Sequence, residues 1–284
     1  MGAKAVKNWA ISTARSAYYA ITEPIKLKNA RLDHGDGIDG IWNRGDPLVS
    51  VIIPTHNRCK ILMERALPSA LDQTYRNIEI LVCAHGCTDD TVAKVLDRRA
   101  FDGRYCGRPS RINLIHVPRR RTYPPTAENH WFAGPVDPLN AGLAVARGKW
   151  IARLDDDDVQ TPEAIQSLLR FAQSGNHEFV SAKHSTPAGD VAPYKVNRNL
   201  IGGCQTWIYR NYLEAFRYNP DCWRKRWNKV NDTDLQQRFV NAGVRMGYLD
   251  KVVAHISPRP GEKVIGLKAY QQNRAETERK LAFK

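Results

Sequence analysis

The sequence predicts an α/β fold with a mainly parallel sheet flanked by helices, and three observations carry that prediction. Short apolar runs recur between Val49 and Leu154 with amphipathic stretches between them. Strands that alternate with helices are joined by right-handed crossovers into a largely parallel sheet. Four consecutive aspartates, Asp155 to Asp158, directly follow the apolar run Trp150 to Leu154, and open α/β sheets bind ligands at the carboxyl ends of strands. Finally, 284 residues at 42% apolar and 25% charged are the composition of a soluble globular protein with a sizeable core.

The elements follow in chain order. Ala5 to Ile21 reads as an amphipathic helix, with Val6, Trp9, Ala10, Thr13, Ala17, Ala20 and Ile21 on one face and Lys4, Lys7, Arg15 and Tyr18 opposite. It suits a membrane-surface anchor or a helix packed on protein. Asp33 to Asp46 carries four Gly and four Asp but lacks the ligand order and terminal Glu of an EF-hand loop, so it reads as a polar linker. Residues 1–46 thus form an N-terminal extension. Strands are expected at Val49 to Pro54, Ile78 to Cys83, Ile112 to Val117 and Trp150 to Leu154. Helices are expected at Cys59 to Leu71, Asp89 to Ala100, Asp137 to Ala146 and Thr161 to Ser174. Beyond Gly175 the alternation turns irregular, with strands at Glu178 to His184, Cys204 to Arg210 and Val244 to His255 and a helix at Asp232 to Asn241. The chain closes in a basic helical tail, 258–284.

Net charge is +14, which implies an anionic partner. Met1 to Arg31 carries +5 and Ser257 to Lys284 carries +4, leaving +5 for the middle. A surplus gathered at the ends suits an anionic membrane surface better than a nucleic-acid groove, so no nucleic acid is expected as partner. The six cysteines form no CxxC pair and no zinc spacing, as for reduced cytoplasmic thiols. The stretch after Lys7 is broken by polar residues before a signal h-region forms, and no window approaches a membrane span.

Like charges at a strand mouth are costly unless a cation takes up their charge, so Asp155 to Asp158 reads as a metal site rather than a solvated loop. The run is one of five motifs in order: Val49-Ser-Val-Ile-Ile-Pro-Thr-His-Asn-Arg58; Ala70-Leu-Asp-Gln-Thr-Tyr75 with Glu79 to Val82; Gly86-Cys-Thr-Asp-Asp-Thr91; Asn140-Ala-Gly142 with Ala146-Arg-Gly148; and Leu154-Asp-Asp-Asp-Asp158. In order and spacing they resemble the family-2 glycosyltransferases, over about Val49 to Ser257. The resemblance implies a GT-A fold for 47–257, with 47–175 as nucleotide-sugar half and 176–257 as acceptor half. It implies inverting transfer of a sugar from a nucleotide-diphosphate donor, UDP by default, to a glycan or lipid-linked acceptor, by a protein placed in the cytoplasm or peripherally at the inner face of a membrane.

The resemblance also implies roles. A divalent cation, Mn²⁺ or Mg²⁺, offsets the charge that develops on the leaving diphosphate. Asp157 is the first candidate ligand, with Asp155 and His255 as further metal contacts, while Asp155 and Asp156 face ribose or sugar. Pro54, Thr55, His56, Asn57 and Arg58 are expected at the donor nucleoside, with His85 and Asn140. Family members commonly place two Asp before Gly86, whereas this chain has Ala84-His85, which leaves the base open. A late Glu-Asp pair supplies the general base; here Asn231-Asp232 stands in that place, with Asp232 as base and Asp234 as fallback. Gly203 and Trp207 are expected at the acceptor, Trp223 and Trp227 as stacking faces, and Arg119 to Arg121 as an anion clamp or a solvated loop. A sugar-nucleotide-binding pseudoenzyme and a non-catalytic polyanion binder are the alternatives.

Overall fold

The computed structural model describes residues 3–34, 42, 44–106, 110–120, 123–224 and 230–282. The expected Trp227 and Arg121, and most of the Asp33 to Asp46 linker, lie outside them. After helix α1 (Ala3–His34), the first half runs β1 (Val49–Thr55), α2 (Cys59–Glu64), α3 (Ala66–Leu71), β2 (Ile78–His85), α4 (Thr91–Cys106), β3 (Ile112–Val117), α5 (Ala127–Ala133), α6 (Val136–Val145) and β4 (Trp150–Arg153). Then follow β5 (Val159–Gln160), α7 (Ala164–Ser174), β6 (Phe179–Thr186), the short strands β7 (Gly189–Val191), β8 (Tyr194–Val196) and β9 (Asn199–Ile201), and β10 (Ile208–Arg210). Helix α8 (Asn231–Ala242), β11 (Met246–His255), α9 (Leu267–Gln272) and α10 (Arg274–Ala282) complete the chain.

One nine-stranded sheet has the order β3-β2-β1-β4-β10-β6-β11-β5, with β7 added on β6. β1 pairs in parallel with β2 and β4, β2 with β3, and β6 with β11. β10 runs antiparallel between β4 and β6, so the two halves keep one strand direction. The expected α/β class with a mainly parallel sheet is borne out. Its physical basis is burial: β1 and β2 are buried along their whole lengths, as strands covered on both faces must be.

Two glycines set how closely the layers approach. A Cβ on Gly142 in α6 would lie 2.6 Å from Ile52 Cγ2 and 2.9 Å from Cys83 Sγ, so α6 sits directly on β1 and β2. A Cβ on Gly148 would lie 2.5 Å from the Ser50 backbone nitrogen. Instead Gly148 N–H donates to Ser50 Oγ at 2.8 Å, and Ser50 donates to Glu79 at 2.6 Å. Arg147 closes this knot on Glu79 at 2.7 Å.

The expected helix Cys59 to Leu71 is two helices. Pro68 has no N–H to give the Glu64 carbonyl, and Arg65 leaves helical space at φ −122, ψ −79. The helix expected from Asp89 starts at Thr91, because Asp89 stands outside it and accepts from Thr91 N–H at 3.1 Å. The first helix is longer than Ala5 to Ile21 and packs on α8. Arg15 pairs with Asp221 at 2.7 Å, Glu23 with Arg238, and Arg31 with Glu178 at 2.6 Å. At the other end, α9 packs on α5.

Candidate active site

The carboxyl ends of β1, β2 and β4 and the N-terminus of α8 open on one cavity of about 310 Å³. Pro54, Thr55, His56, Arg58, His85, Asp155, Asp156, Asp157, Gly203 and Asp232 line it, as does Asp158. The four aspartates have different surroundings. Asp155 is held by Arg153, whose Nε donates at 3.0 Å, and by the Cys204 thiol at 3.6 Å. Asp156 is buried and accepts from Arg58 Nη1 at 2.8 Å. Burial pushes its carboxyl up to about 6 against the pull of Arg58. Asp157 is reached by the same Arg58 nitrogen at 3.4 Å and lies 3.8 Å from Arg259 Nε. Asp158 turns back on Asp155, its N–H donating to the Asp155 carbonyl at 3.2 Å. Burial, then its three acidic neighbours, drives its carboxyl far above the carboxylate range.

Arg65, at the break between α2 and α3, holds this loop by its backbone. It donates to the carbonyls of Asp157 at 2.9 Å, Ser257 at 3.1 Å and Pro258 at 2.8 Å. The acidic loop and the segment after β11 are thereby fixed to one side chain.

The donor set suits a hard divalent cation. Asp155 and Asp157 keep 29% and 24% of their side chains exposed, and the guanidinium contacts to Asp157 are long, 3.4 Å from Arg58 and 3.8 Å from Arg259, so its carboxylate stays open to a cation. Among the described residues no group of three or more His, Cys, Asp or Glu side chains forms a ready cage. Mg²⁺ needs none, since one or two carboxylates with substrate phosphates and waters complete its shell.

At the carboxyl ends of β1 and β2, the His85 carbonyl sits 2.6 Å from His56 Nδ1, so that nitrogen carries the proton and Nε2 accepts from Arg119 Nη1 at 3.2 Å. His85 is buried and its Nε2 has no hydrogen-bond partner. Burial, with His56 and Arg119 nearby, lowers it to about 4, so it is neutral at physiological pH. Gly86 follows at φ +56, and a Cβ there would meet Arg119 Cβ at 2.7 Å, which is why the turn takes glycine.

Asp232 lies in the first turn of α8, with Oδ1 accepting from Thr233 N–H at 2.7 Å. Its neighbour Asn231 is buried and two-sided. It accepts from Arg153 Nη1 at 3.0 Å and donates to the Phe132 carbonyl at 3.2 Å. A carboxylate cannot make the second contact. Arg153 therefore links Asp155 to α8, and Asn231 links α8 to α5.

The other expected residues lie outside the cavity lining. Asn57, at φ 51, caps the loop after β2, accepting from Thr88 N–H at 2.7 Å. Asn140 ties α6 to the Tyr218 backbone at 3.0 and 2.8 Å. Trp207 is a core residue donating to the Gly202 carbonyl at 3.1 Å, and Trp223 stacks on Arg224. Asp234 pairs with Arg238 at 2.9 Å on the α1 side of α8. His255 bonds Ser185 Oγ at 2.6 Å. The lining instead takes Ile256 to Arg259, just beyond it, and also His130, Trp131, Cys204 and Tyr270. Tyr270 accepts from Arg58 Nη2 at 2.7 Å, and its ring lies 5.4 Å from Trp131. Thr126 caps α5, accepting from Asn129 N–H at 3.1 Å. The helix that delivers Trp131 is not among those expected from the sequence, and Thr126 as a cap residue is the signal that marks its start.

Comparisons with known proteins agree with the architecture. The chain is 33% identical over 130 residues to the Escherichia coli UDP-Glc:alpha-D-GlcNAc-diphosphoundecaprenol beta-1,3-glucosyltransferase WfaP, covering 45% of this chain and 42% of WfaP. It is 29% identical over 183 residues to the E. coli enzyme of the same description WfgD, covering 62% of this chain and 63% of WfgD. Either match spans less than two thirds of the relative's length. In fold it is similar to S. aureus TarS 1-349 in complex with UDP-GlcNAc, with TM-score 0.56, 19% identity and coverage of 78% and 60%. It is also similar to the mannosyltransferase PcManGT from Pyrobaculum calidifontis in complex with GDP-Man and Mn²⁺, with TM-score 0.55, 17% identity and coverage of 91% and 69%. Residues 50–252 match the profile of glycosyl transferase family 2, and the chain, with its GT-A architecture, belongs to that family.

Proposed function

We propose that this cavity transfers a hexose or N-acetylhexosamine, with inversion, from a nucleotide-diphosphate sugar to a hydroxyl of a glycan or lipid-linked acceptor in cell-surface polysaccharide synthesis. One observation carries the reading: the acidic run and Asp232, 74 or more residues apart in sequence, face the same cavity. Asp232 takes the proton of the acceptor hydroxyl as its oxygen attacks the anomeric carbon. The bond from that carbon to the diphosphate oxygen breaks, and the nucleoside diphosphate leaves. Asp157 with Asp155 would hold a Mn²⁺ or Mg²⁺ ion, which supplies positive charge to the leaving diphosphate. Arg58 and Arg259 stand at the same carboxylates and suit the phosphates when the donor enters.

UDP is the nucleotide we favour, and a diphosphoundecaprenol-type lipid the acceptor class, because WfaP and WfgD are UDP-Glc:alpha-D-GlcNAc-diphosphoundecaprenol glucosyltransferases and TarS binds UDP-GlcNAc. Neutral His85 stands at the nucleoside end, where it accepts or donates one hydrogen bond without charge. The same reading puts the protein in the cytoplasm. Among the described residues no helix is long and apolar enough to cross a membrane.

The test is thermal unfolding with UDP-, GDP- and CMP-sugars, with and without Mn²⁺, followed by transfer assays on the Asp157→Ala and Asp232→Ala variants. A Mn²⁺-dependent rise in Tm with one nucleotide class, and loss of transfer in both folded variants, is expected. Full transfer by either folded variant overturns the mechanism. Donor binding without turnover over a panel of acceptors identifies a pseudoenzyme instead.

A further inference from the structure

We infer that the outward face of α1 is a docking surface for an anionic lipid bilayer. This rests on α1 itself and not on the chemistry of the cavity. Of the eleven large apolar side chains exposed among the described residues, six lie on this one helix. Val6, Tyr18, Ile21, Ile25 and Leu32 are 50–73% exposed. At 3.6 residues per turn they fall within an arc of about 120°, together with Ala10 and Ala14. From Val6 to Leu32 the stripe is about 39 Å long.

The opposite side of α1 is committed to the protein. Glu23 and Leu27 are buried there, and Arg15 and Glu23 are ion-paired to Asp221 and Arg238. The inner contacts therefore fix which face looks outward. Within the outward arc the charged side chains are Lys7 and Lys28, both exposed, and no Asp or Glu. Asp33 falls outside the arc by the same helical count.

Charge complementarity selects the occupant. A second copy of the chain would meet this face with itself, because a two-fold interface is self-complementary, and would set lysines against an apolar stripe that offers no carboxylate. A bilayer with anionic headgroups accepts both features: apolar side chains enter the interface while lysine stems lie along it with their ammonium groups at phosphate level. The +5 of Met1 to Arg31 adds long-range attraction.

The experiment is co-sedimentation of the full chain with vesicles of phosphatidylcholine alone and of equal parts phosphatidylcholine and phosphatidylglycerol. Wild type is expected to partition about tenfold more strongly onto the mixed vesicles. Ile21→Gln/Ile25→Gln should lower that partition about tenfold or more, and Lys7→Gln/Lys28→Gln should lower the preference for phosphatidylglycerol several-fold. All four positions are exposed, so Tm should stay at the wild-type value. Leu96→Gln/Phe101→Gln, exposed on α4, should bind like wild type. Failure of wild type to sediment with mixed vesicles overturns the inference, as does wild-type binding by the Ile21/Ile25 variant. A solution dimer that this variant dissociates, without vesicle binding, assigns the face to self-association instead.

Discussion

Asn231→Asp separates two explanations for the residue that precedes the proposed base. If the position is merely an acidic site that has lost its charge, a carboxylate beside Arg153 should be welcome and the variant should be at least as stable as wild type. The structure requires the opposite sign. Asn231 is 3% exposed, and its Nδ2 donates to the Phe132 carbonyl at 3.2 Å. The aspartate keeps the volume and the Arg153 contact but turns a donor into an oxygen facing an oxygen. Losing that bond costs about 1 kcal/mol, and desolvating and opposing the new charge adds about 2 kcal/mol. The stronger charge-assisted contact to Arg153 returns about 1 kcal/mol, limited because Asp155 already accepts from that guanidinium at 3.0 Å. The Cys222 thiol still reaches the Phe132 carbonyl at 3.0 Å, so the carbonyl is not orphaned. A net loss of about 2 kcal/mol corresponds to a fall in Tm of about 4–8 °C. Thermal unfolding at neutral pH reads it, with circular dichroism to confirm the same fold. A Tm equal to or above wild type would refute the reasoning.

Further outcomes follow from other contacts. Asp232→Asn keeps the acceptor for Thr233 N–H, so donor-induced stabilisation should be unchanged while kcat falls about 10²–10⁴-fold in a nucleotide-release assay. Gly148→Ala places a Cβ 2.5 Å from the Ser50 nitrogen; a backbone neighbour cannot step aside, and denaturant unfolding should show a loss of about 1–3 kcal/mol. Burial lowers His85 to about 4 and His130 to about 3. Both fold as neutral rings, so the unfolded chain binds protons first. Stability should therefore fall with pH from about 6.5 towards 4 and below, by on the order of 1–3 kcal/mol per histidine, and His85→Gln should flatten part of that slope in unfolding measured across pH.

The fold was legible because its signals are local. β1, β2 and β3 start at the residues expected, and apolar runs of this length flanked by turn residues have few alternative readings. Even the failures were local. The break at Arg65 follows from Pro68, and the late start of α4 from an aspartate that caps better than it propagates. β10 was harder. Cys204 to Arg210 reads as one strand, but its first three residues form a 3₁₀ turn, and a Cβ on Gly202 would overlap the Ala182 carbonyl. That close packing is a tertiary fact with no period in the sequence.

The candidate site divides along the same line. Residues at strand ends reach the cavity because a strand end is itself the position of the site in this architecture, which is how Asp155 to Asp158, His56 and His85 come together. Asn57 and Asn140 carry the same motif pattern yet serve the scaffold, one capping a loop and the other tying a helix to a turn. Motif membership reports that a residue is needed, not whether ligand or fold needs it. What distinguishes one aspartate of the run from the next comes from Arg153, two residues upstream, on Asp155, and otherwise from elsewhere in the chain: Arg58 on Asp156 and Arg259 beside Asp157, with Tyr270 accepting from Arg58. Two of these four come from the segment after β11, whose sequence reads as a basic tail. Four adjacent carboxylates cannot all stay charged and dry, so the fold has to supply each with a different environment. Apart from Arg153, the positive charge that does so comes from Arg58 and Arg259, partners that sequence spacing does not pair, and that is the part of the site only the assembled structure makes visible.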